Sequence, residues 1–147
     1  MTERLDYQKL SAAGVRAVGG VYMYVVNSGL PKELVDLVFL RASQINGCAY
    51  CIDMHSRDLQ KAGVAVDKIM LLSAWREAGD LFTNRERAAL QWAEEVTRVS
   101  ETHASDEAFA ALSAEFQPKE ISDLTLAIGL INLFNRLAIG LRRPPGS

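Results

Sequence analysis

Cysteine, histidine and proline are scarce in this chain, and each scarcity excludes something. The 147 residues include only two cysteines and four prolines, with two histidines. Two cysteines cannot form the several-bridge framework of a small secreted protein. Basic residues are not concentrated either: 16 Lys and Arg face 18 Asp and Glu, for a formal net charge of -2. A nucleic-acid surface needs a dense basic face to release counterions, so that partner class is set aside. Only Leu141-Arg142-Arg143-Pro144-Pro145 is locally basic, and it is too short to count. The most apolar window, Leu124 to Phe134, is about half the ~20 residues that span a bilayer. Asp123 and Arg136 bracket that window and Asn132 lies inside it, so it reads as a buried helix rather than a membrane span. The N-terminal MTERLDYQKL carries charges where a secretory signal needs an apolar core. No repeat, low-complexity linker or Gly-rich nucleotide loop is present. The expectation is a soluble, cytoplasmic protein with no membrane or nucleic-acid partner, and with no bound cofactor or metal.

What is present points to helices. The composition is 49% hydrophobic and 23% charged, ordinary for a globular chain. Its length suits one domain spanning residues 1-147. Period-2 alternation is rare and 3.6-type spacing recurs, which predicts an all-α bundle of six to seven helices. The expected helices run from Tyr7 to Asn27, Lys32 to Ile45, Cys48 to Lys61-Ala62, and Asp67 to Ala74. A polar loop through Asp80 follows, and Thr83-Asn84-Arg85-Glu86 is a capping box opening a helix to about Ser100. Ser105 or Asp106 begins another, to Phe116, and Pro118 begins the last, to Leu141. Asn46-Gly47 closes one helix and sets Cys48 in the first turn of the next.

The chemistry concentrates in Arg41-Ala42-Ser43-Gln44-Ile45-Asn46-Gly47-Cys48-Ala49-Tyr50-Cys51-Ile52-Asp53-Met54-His55. On a helix, Cys48 and Cys51 stand one turn apart on one face, close enough for a disulfide. His55 is four residues after Cys51 on that face, where it can take the thiol proton or stabilise the thiolate. A helix N-terminus favours a thiolate at Cys48, whereas the imidazole favours one at Cys51. Spacing alone leaves the nucleophile open. Two blander readings compete with redox chemistry: two small buried side chains in a core, or a zinc site. Zinc would need a fourth ligand, and the remaining histidine, His103, sits in a polar stretch.

The string Ser-Gln-Ile-Asn-Gly-Cys-x-x-Cys-x-x-x-His resembles the core motif of the alkylhydroperoxidase D-like group in the carboxymuconolactone decarboxylase superfamily. Similarity continues through Trp75-Arg76-Glu77, the Glu86 to Val96 helix and Ile131 to Arg136. The resemblance implies an all-helical fold, a homo-oligomer (trimer or hexamer), and reduction of a hydroperoxide at the cysteine pair. It implies that Cys51 attacks peroxide, that Cys48 resolves the sulfenic acid, and that an external dithiol recycles the disulfide. It also implies a proton relay through a glutamate twelve residues before the first cysteine, a position held here by Asp36. That carboxylate is one methylene shorter, so its contact with His55 is expected to be direct or water-bridged. Tyr50 stands where the group can carry a second histidine, and a phenol with a pKa of ~10 is a poor base. The decarboxylase members lack the cysteine pair. The alternative to a peroxidase is a redox sensor or general thiol-disulfide exchange module.

Three further expectations concern packing. Asn132, Asn135 and Arg136 share a face of an apolar helix, near the site, at an interface, or as a buried hydrogen-bonded network. Trp75 and Trp92 are expected in the core or an interface. Ser43 and Gln44 are placed to orient the cysteine motif, and Arg57 and Asp58 to face solvent.

Overall fold

Breaks in the helical pattern set the course of the chain. The computed structural model describes residues 1-147 and contains helices only. The elements are α1 (Tyr7–Leu10), α2 (Ala12–Val26), α3 (Lys32–Asn46), α4 (Ala49–Lys61), α5 (Val66–Met70), α6 (Asn84–Thr97), α7 (Val99–Thr102), α8 (Asp106–Ser113) and α9 (Pro118–Leu141). Two 3-10 segments, Leu72–Glu77 and Gly79–Leu81, join α5 to α6.

The long elements fall where the caps predict. Thr83 Oγ1 accepts from the Glu86 N–H at 3.1 Å while the Glu86 carboxylate accepts from the Thr83 N–H at 3.0 Å, so the capping box is complete. Pro118 occupies the first turn of α9, where its missing N–H costs nothing. The differences lie at short segments. The single helix expected from Tyr7 to Asn27 is broken at Ser11, whose backbone (φ -119°, ψ 41°) leaves the helical region. The helix expected from Asp67 to Ala74 ends at Met70 and continues as 3-10 turns through the stretch read as a polar loop. These breaks raise the helix count above six or seven.

α3 is the central element. Leu34, Val35, Val38, Phe39 and Ala42 are buried, and Asp36, Leu37, Leu40 and Ser43 are buried too. One flank packs with α2, α6, α8 and α9 around Phe39, Ala89, Leu112 and Ile128. The other flank meets α4, α5 and the 3-10 segments through Leu37, Leu40, Leu59, Leu72 and Trp75. The largest of these side chains are worth about 2 kcal/mol each as buried area.

α9 has 24 residues and, by length and composition alone, could cross a bilayer. Here Asp123, Leu124, Ala127, Ile128, Ile131 and Asn135 are buried along it. Leu126, Leu133 and Ile139 on α9 are exposed, as are Val21 and Met23 on α2.

Candidate functional site: a capped cysteine pair

The turn that carries Cys48 is built by Gly47. Gly47 adopts φ 69°, a left-handed conformation that a Cβ disfavours. Its N–H donates to Gln44 O at 3.2 Å and the Cys48 N–H donates to Ser43 O at 3.0 Å. This is a Schellman closure of α3, and it reverses the chain so that α4 starts at once. Cys48 is therefore the N-cap of α4 rather than a member of its first turn. Its sulfur takes the role of a capping oxygen, accepting from the Cys51 N–H at 3.4 Å.

Both cysteines are free and nearly fully buried. They share a small cluster with Ala138 of α9, with Tyr50 packed against it. The Cys51 thiol donates to the Cys48 sulfur, and the backbone N–H of Cys51, the Asn135 amide and the Tyr50 N–H add to it. Against burial, these donors bring the Cys48 thiol down to about 7. The same S–H···S bond, together with burial, pushes the Cys51 thiol up. The two thiols are thus driven in opposite directions, Cys48 toward the thiolate and Cys51 toward the protonated thiol.

A buried polar network fixes Asn135. Asn46 Nδ2 donates to Asn135 Oδ1 and to Asn132 Oδ1, each at 2.9 Å. Asn135 Nδ2 donates to Ser43 Oγ at 3.0 Å, and Ser43 Oγ donates in turn to Phe39 O at 2.7 Å. Asn132 Nδ2 donates to Thr97 Oγ1 at 3.1 Å and to Ile128 O at 2.8 Å. Because Asn135 Oδ1 is engaged by Asn46, its NH₂ is turned away from Asn46, toward Ser43 and the sulfurs. Of the readings open for Asn132, Asn135 and Arg136, the buried network is present, and it reaches the site. Ser43 is part of it, whereas Gln44 accepts from Arg41 at 3.4 Å.

His55 is placed on the same helix but is not bonded to either sulfur. Its two ring nitrogens are buried without a hydrogen-bond partner. The ring packs 5.2 Å from the Phe39 ring, centroid to centroid. Burial drives its pKa down to about 4, with Asp58 opposing and Lys32 assisting. His55 is thus an uncharged imidazole at neutral pH. Asp58 Oδ2 stands 4.0 Å from its Nδ1, although sequence reading places Asp58 merely in solvent.

Asp36 is buried on α3, and its carboxylate accepts from Lys32 Nζ at 2.5 Å rather than contacting His55. Burial raises its pKa, with Lys32 opposing. Lys32 and Asp58 act electrostatically on both Asp36 and His55, so these four side chains form one neighbourhood. No three His, Cys, Asp or Glu side chains are grouped to hold a metal ion. His103 is exposed and left-handed (φ 54°).

Trp75 and Trp92 are core residues. Trp75 Nε1 donates to the buried Glu94 carboxylate at 2.9 Å, as do Arg41 at 2.9 Å and Arg76 at 2.6 Å. This network ties α3 to α6 and involves neither cysteine.

The two sulfurs open on different spaces. Cys51 lines a cavity of about 120 Å³ with Tyr7, Val15, Val18, Phe134 and Leu137. Cys48 lines another, of about 340 Å³, with Ala138, Arg142 and Arg143. Tyr50 borders both. Of these residues, Tyr7 and Arg143 carry no motif in the sequence, and the fold alone brings them to these cavities.

A profile of the carboxymuconolactone decarboxylase family matches residues 12–95. The Bacillus subtilis protein YdfG, itself uncharacterized, is 32% identical over 141 residues, covering 96% of this chain and 95% of YdfG. The alkyl hydroperoxide reductase AhpD of Bradyrhizobium is 44% identical over 45 residues, covering 31% of this chain and 25% of AhpD. A solved Agrobacterium tumefaciens protein of unknown function, described as a candidate antioxidant defence protein AhpD, superposes with a TM-score of 0.95. It shares 42% identity over 99% of both chains. The debrominase Bmp8 shares the fold at 21% identity and a TM-score of 0.77, over 89% of this chain and 70% of its own.

Proposed function

The chain belongs to the carboxymuconolactone decarboxylase family as an alkylhydroperoxidase D-like member, and on that premise we propose that it is a thiol-dependent hydroperoxide reductase. The observation that carries this reading is the free, buried Cys48–Cys51 pair at the N-terminus of α4, with the Cys51 N–H donating to the Cys48 sulfur. Reaction with peroxide requires a thiolate, so Cys51 must give up its proton as its sulfur attacks.

In the proposed cycle the Cys51 sulfur attacks the distal oxygen of the hydroperoxide. The O–O bond breaks, Cys51 becomes a sulfenic acid, and its former thiol proton goes to the departing alkoxide. His55, uncharged and with both nitrogens free of partners, is suited to carry that proton. Asp36, Lys32 and Asp58 set the potential around it. Cys48, its thiol brought down to about 7, attacks the sulfenic sulfur as a thiolate. Hydroxide leaves and the disulfide closes. An external dithiol, in the cytoplasm, restores the pair.

The fold also serves a protein named as a debrominase, so the fold does not fix the substrate. The deciding experiment mixes pre-reduced protein with stoichiometric organic hydroperoxide and follows thiol loss. The expected result is a stable sulfenic acid on Cys51 in Cys48→Ser and no fast reaction in Cys51→Ser. The reverse pattern would give the attack to the resting thiolate, Cys48. Absence of fast thiol loss in the wild type would remove the peroxidase reading in favour of a thiol-disulfide exchange or sensing module.

A further inference from the structure

The basic pair Arg142-Arg143, too short to matter as a nucleic-acid patch, ends up beside the redox pair. Arg142 closes α9 in the left-handed conformation (φ 57°, ψ 49°) and turns the chain back toward the start of α4. The Arg143 guanidinium then stands 4.7 Å from the Tyr50 ring and 5.7 Å from the Tyr7 ring. The arginines that pair with carboxylate side chains are Arg41, Arg57, Arg76 and Arg85, so Arg142 and Arg143 have no acidic side-chain partner. Arg143 Nε has no hydrogen-bond partner, and one Nη donates to Ser147 O at 3.2 Å. Both arginines line the cavity of about 340 Å³ into which Cys48, and not Cys51, opens.

We propose that this cavity is the docking site of the reductant, and that Arg142 and Arg143 select a thiol bearing a carboxylate. The inference rests on Cys48 and Cys51 cycling through a disulfide. Two guanidinium groups with no acidic side-chain partner, in a cavity also lined by Ala138, Ile139 and Tyr50, offer fork geometry to a planar anion. Ala49 and Tyr50 of the first turn of α4 line the same cavity, and a helix N-terminus favours negative charge. The thiolate of the reductant attacks the Cys48 sulfur, a mixed disulfide with Cys48 forms, and the Cys48–Cys51 bond breaks. The electron pair leaves on Cys51, which takes a proton from solvent. A second thiolate attacks the reductant sulfur of the mixed disulfide and releases Cys48 as a thiolate. Two thiols become one disulfide, and the protein disulfide becomes a dithiol.

The test starts from protein oxidised with diamide, its disulfide verified as a loss of two hydrogens by mass. Reduction by 3-mercaptopropionate and by 3-mercapto-1-propanol is followed by stopped flow. Each rate is divided by that thiol's rate with an uncharged small disulfide, which removes intrinsic reactivity. The expected result is a preference of about fivefold for the carboxylate thiol at low salt, falling as ionic strength rises. Arg142→Gln/Arg143→Gln abolishes the preference, bringing the two normalised rates together, while Arg143→Lys keeps most of it. No preference in the wild type, or one insensitive to salt and to the double substitution, overturns the proposal. If the double variant does not fold, the wild-type salt series still decides. A protein that forms no Cys48–Cys51 disulfide removes the cycle itself, an outcome distinct from a cycle without charge selection.

Discussion

Replacing His55 with leucine should leave the protein at least as stable near neutral pH and make it less sensitive to acid. The imidazole is buried, both ring nitrogens lack partners, and burial holds its pKa at about 4. In the unfolded chain a histidine titrates near ~6.5. The folded value is depressed, so between these two values the unfolded chain binds more protons than the folded one. Stability is therefore intact above about pH 6.5 and is lost as pH falls toward about 4. Linkage with those two values gives a loss of about 2 kcal/mol between pH 7 and pH 5 from this residue alone. Leucine has similar bulk, buries no polar atom and does not titrate, so at pH 7 no native hydrogen bond is forfeited. Urea unfolding of both proteins at each pH measures the difference. Carboxylates shared by both proteins titrate alike and cancel in that comparison, apart from the influence of Asp58, which already opposes the depression. Parallel loss of stability in the two proteins would refute the assignment of an uncharged, unpartnered imidazole. So would a large destabilisation of His55→Leu at pH 7, which would mean that the ring makes a bond worth keeping.

Two further outcomes follow from the site and the surface. Asn135→Ala removes a donor to the Cys48 sulfur, so thiolate absorbance near 240 nm should titrate at higher pH, moving from about 7 toward the free-cysteine value of ~8.5. An unchanged midpoint, with the fold intact, would show that the amide does not reach the sulfur. The exposed Val21 and Met23 of α2 and Leu126 and Leu133 of α9 should be covered in a homo-oligomer, a trimer or hexamer. Sedimentation showing a monomer at micromolar concentration would remove that association.

Most of the frame was legible because it follows local rules. Thr83 with Glu86, Pro118 and Asn46-Gly47 each specify a helix end through groups within a few residues. The cysteine pair is local in the same sense, and so is its seat at a helix start. Other features depended on partners far along the chain. The i, i+4 spacing fixes the helix face that His55 shares with Cys51, but Phe39 of α3 takes the ring against itself. Asp36 is buried where a relay carboxylate was expected, yet Lys32 one turn earlier claims it. Asn135 and Arg143 are roughly ninety residues from Cys48, and no periodicity signals that α9 will lie beside α4.

The charge arrangement argues that the two sulfurs differ in role because their surroundings differ, not merely because of their order in the chain. Every donor to Cys48 is a neutral dipole: a thiol, two backbone N–H groups and an amide. Such groups stabilise a thiolate without a buried counter-charge, and so avoid the desolvation of a second ion. The cost falls on Cys51, whose proton is held until it has somewhere to go. Its cavity is walled mainly by apolar side chains, among them Val15, Val18, Phe134 and Leu137, with Tyr7 and Gln8 at its border. The only titratable side chain on its face of α4 one turn later is His55, which is uncharged and able to accept. Cys48 meanwhile shares its cavity with Arg142 and Arg143. In the proposed cycle this arrangement keeps the Cys51 thiol protonated until its sulfur attacks, and leaves Cys48 on the other side to close or reopen the disulfide.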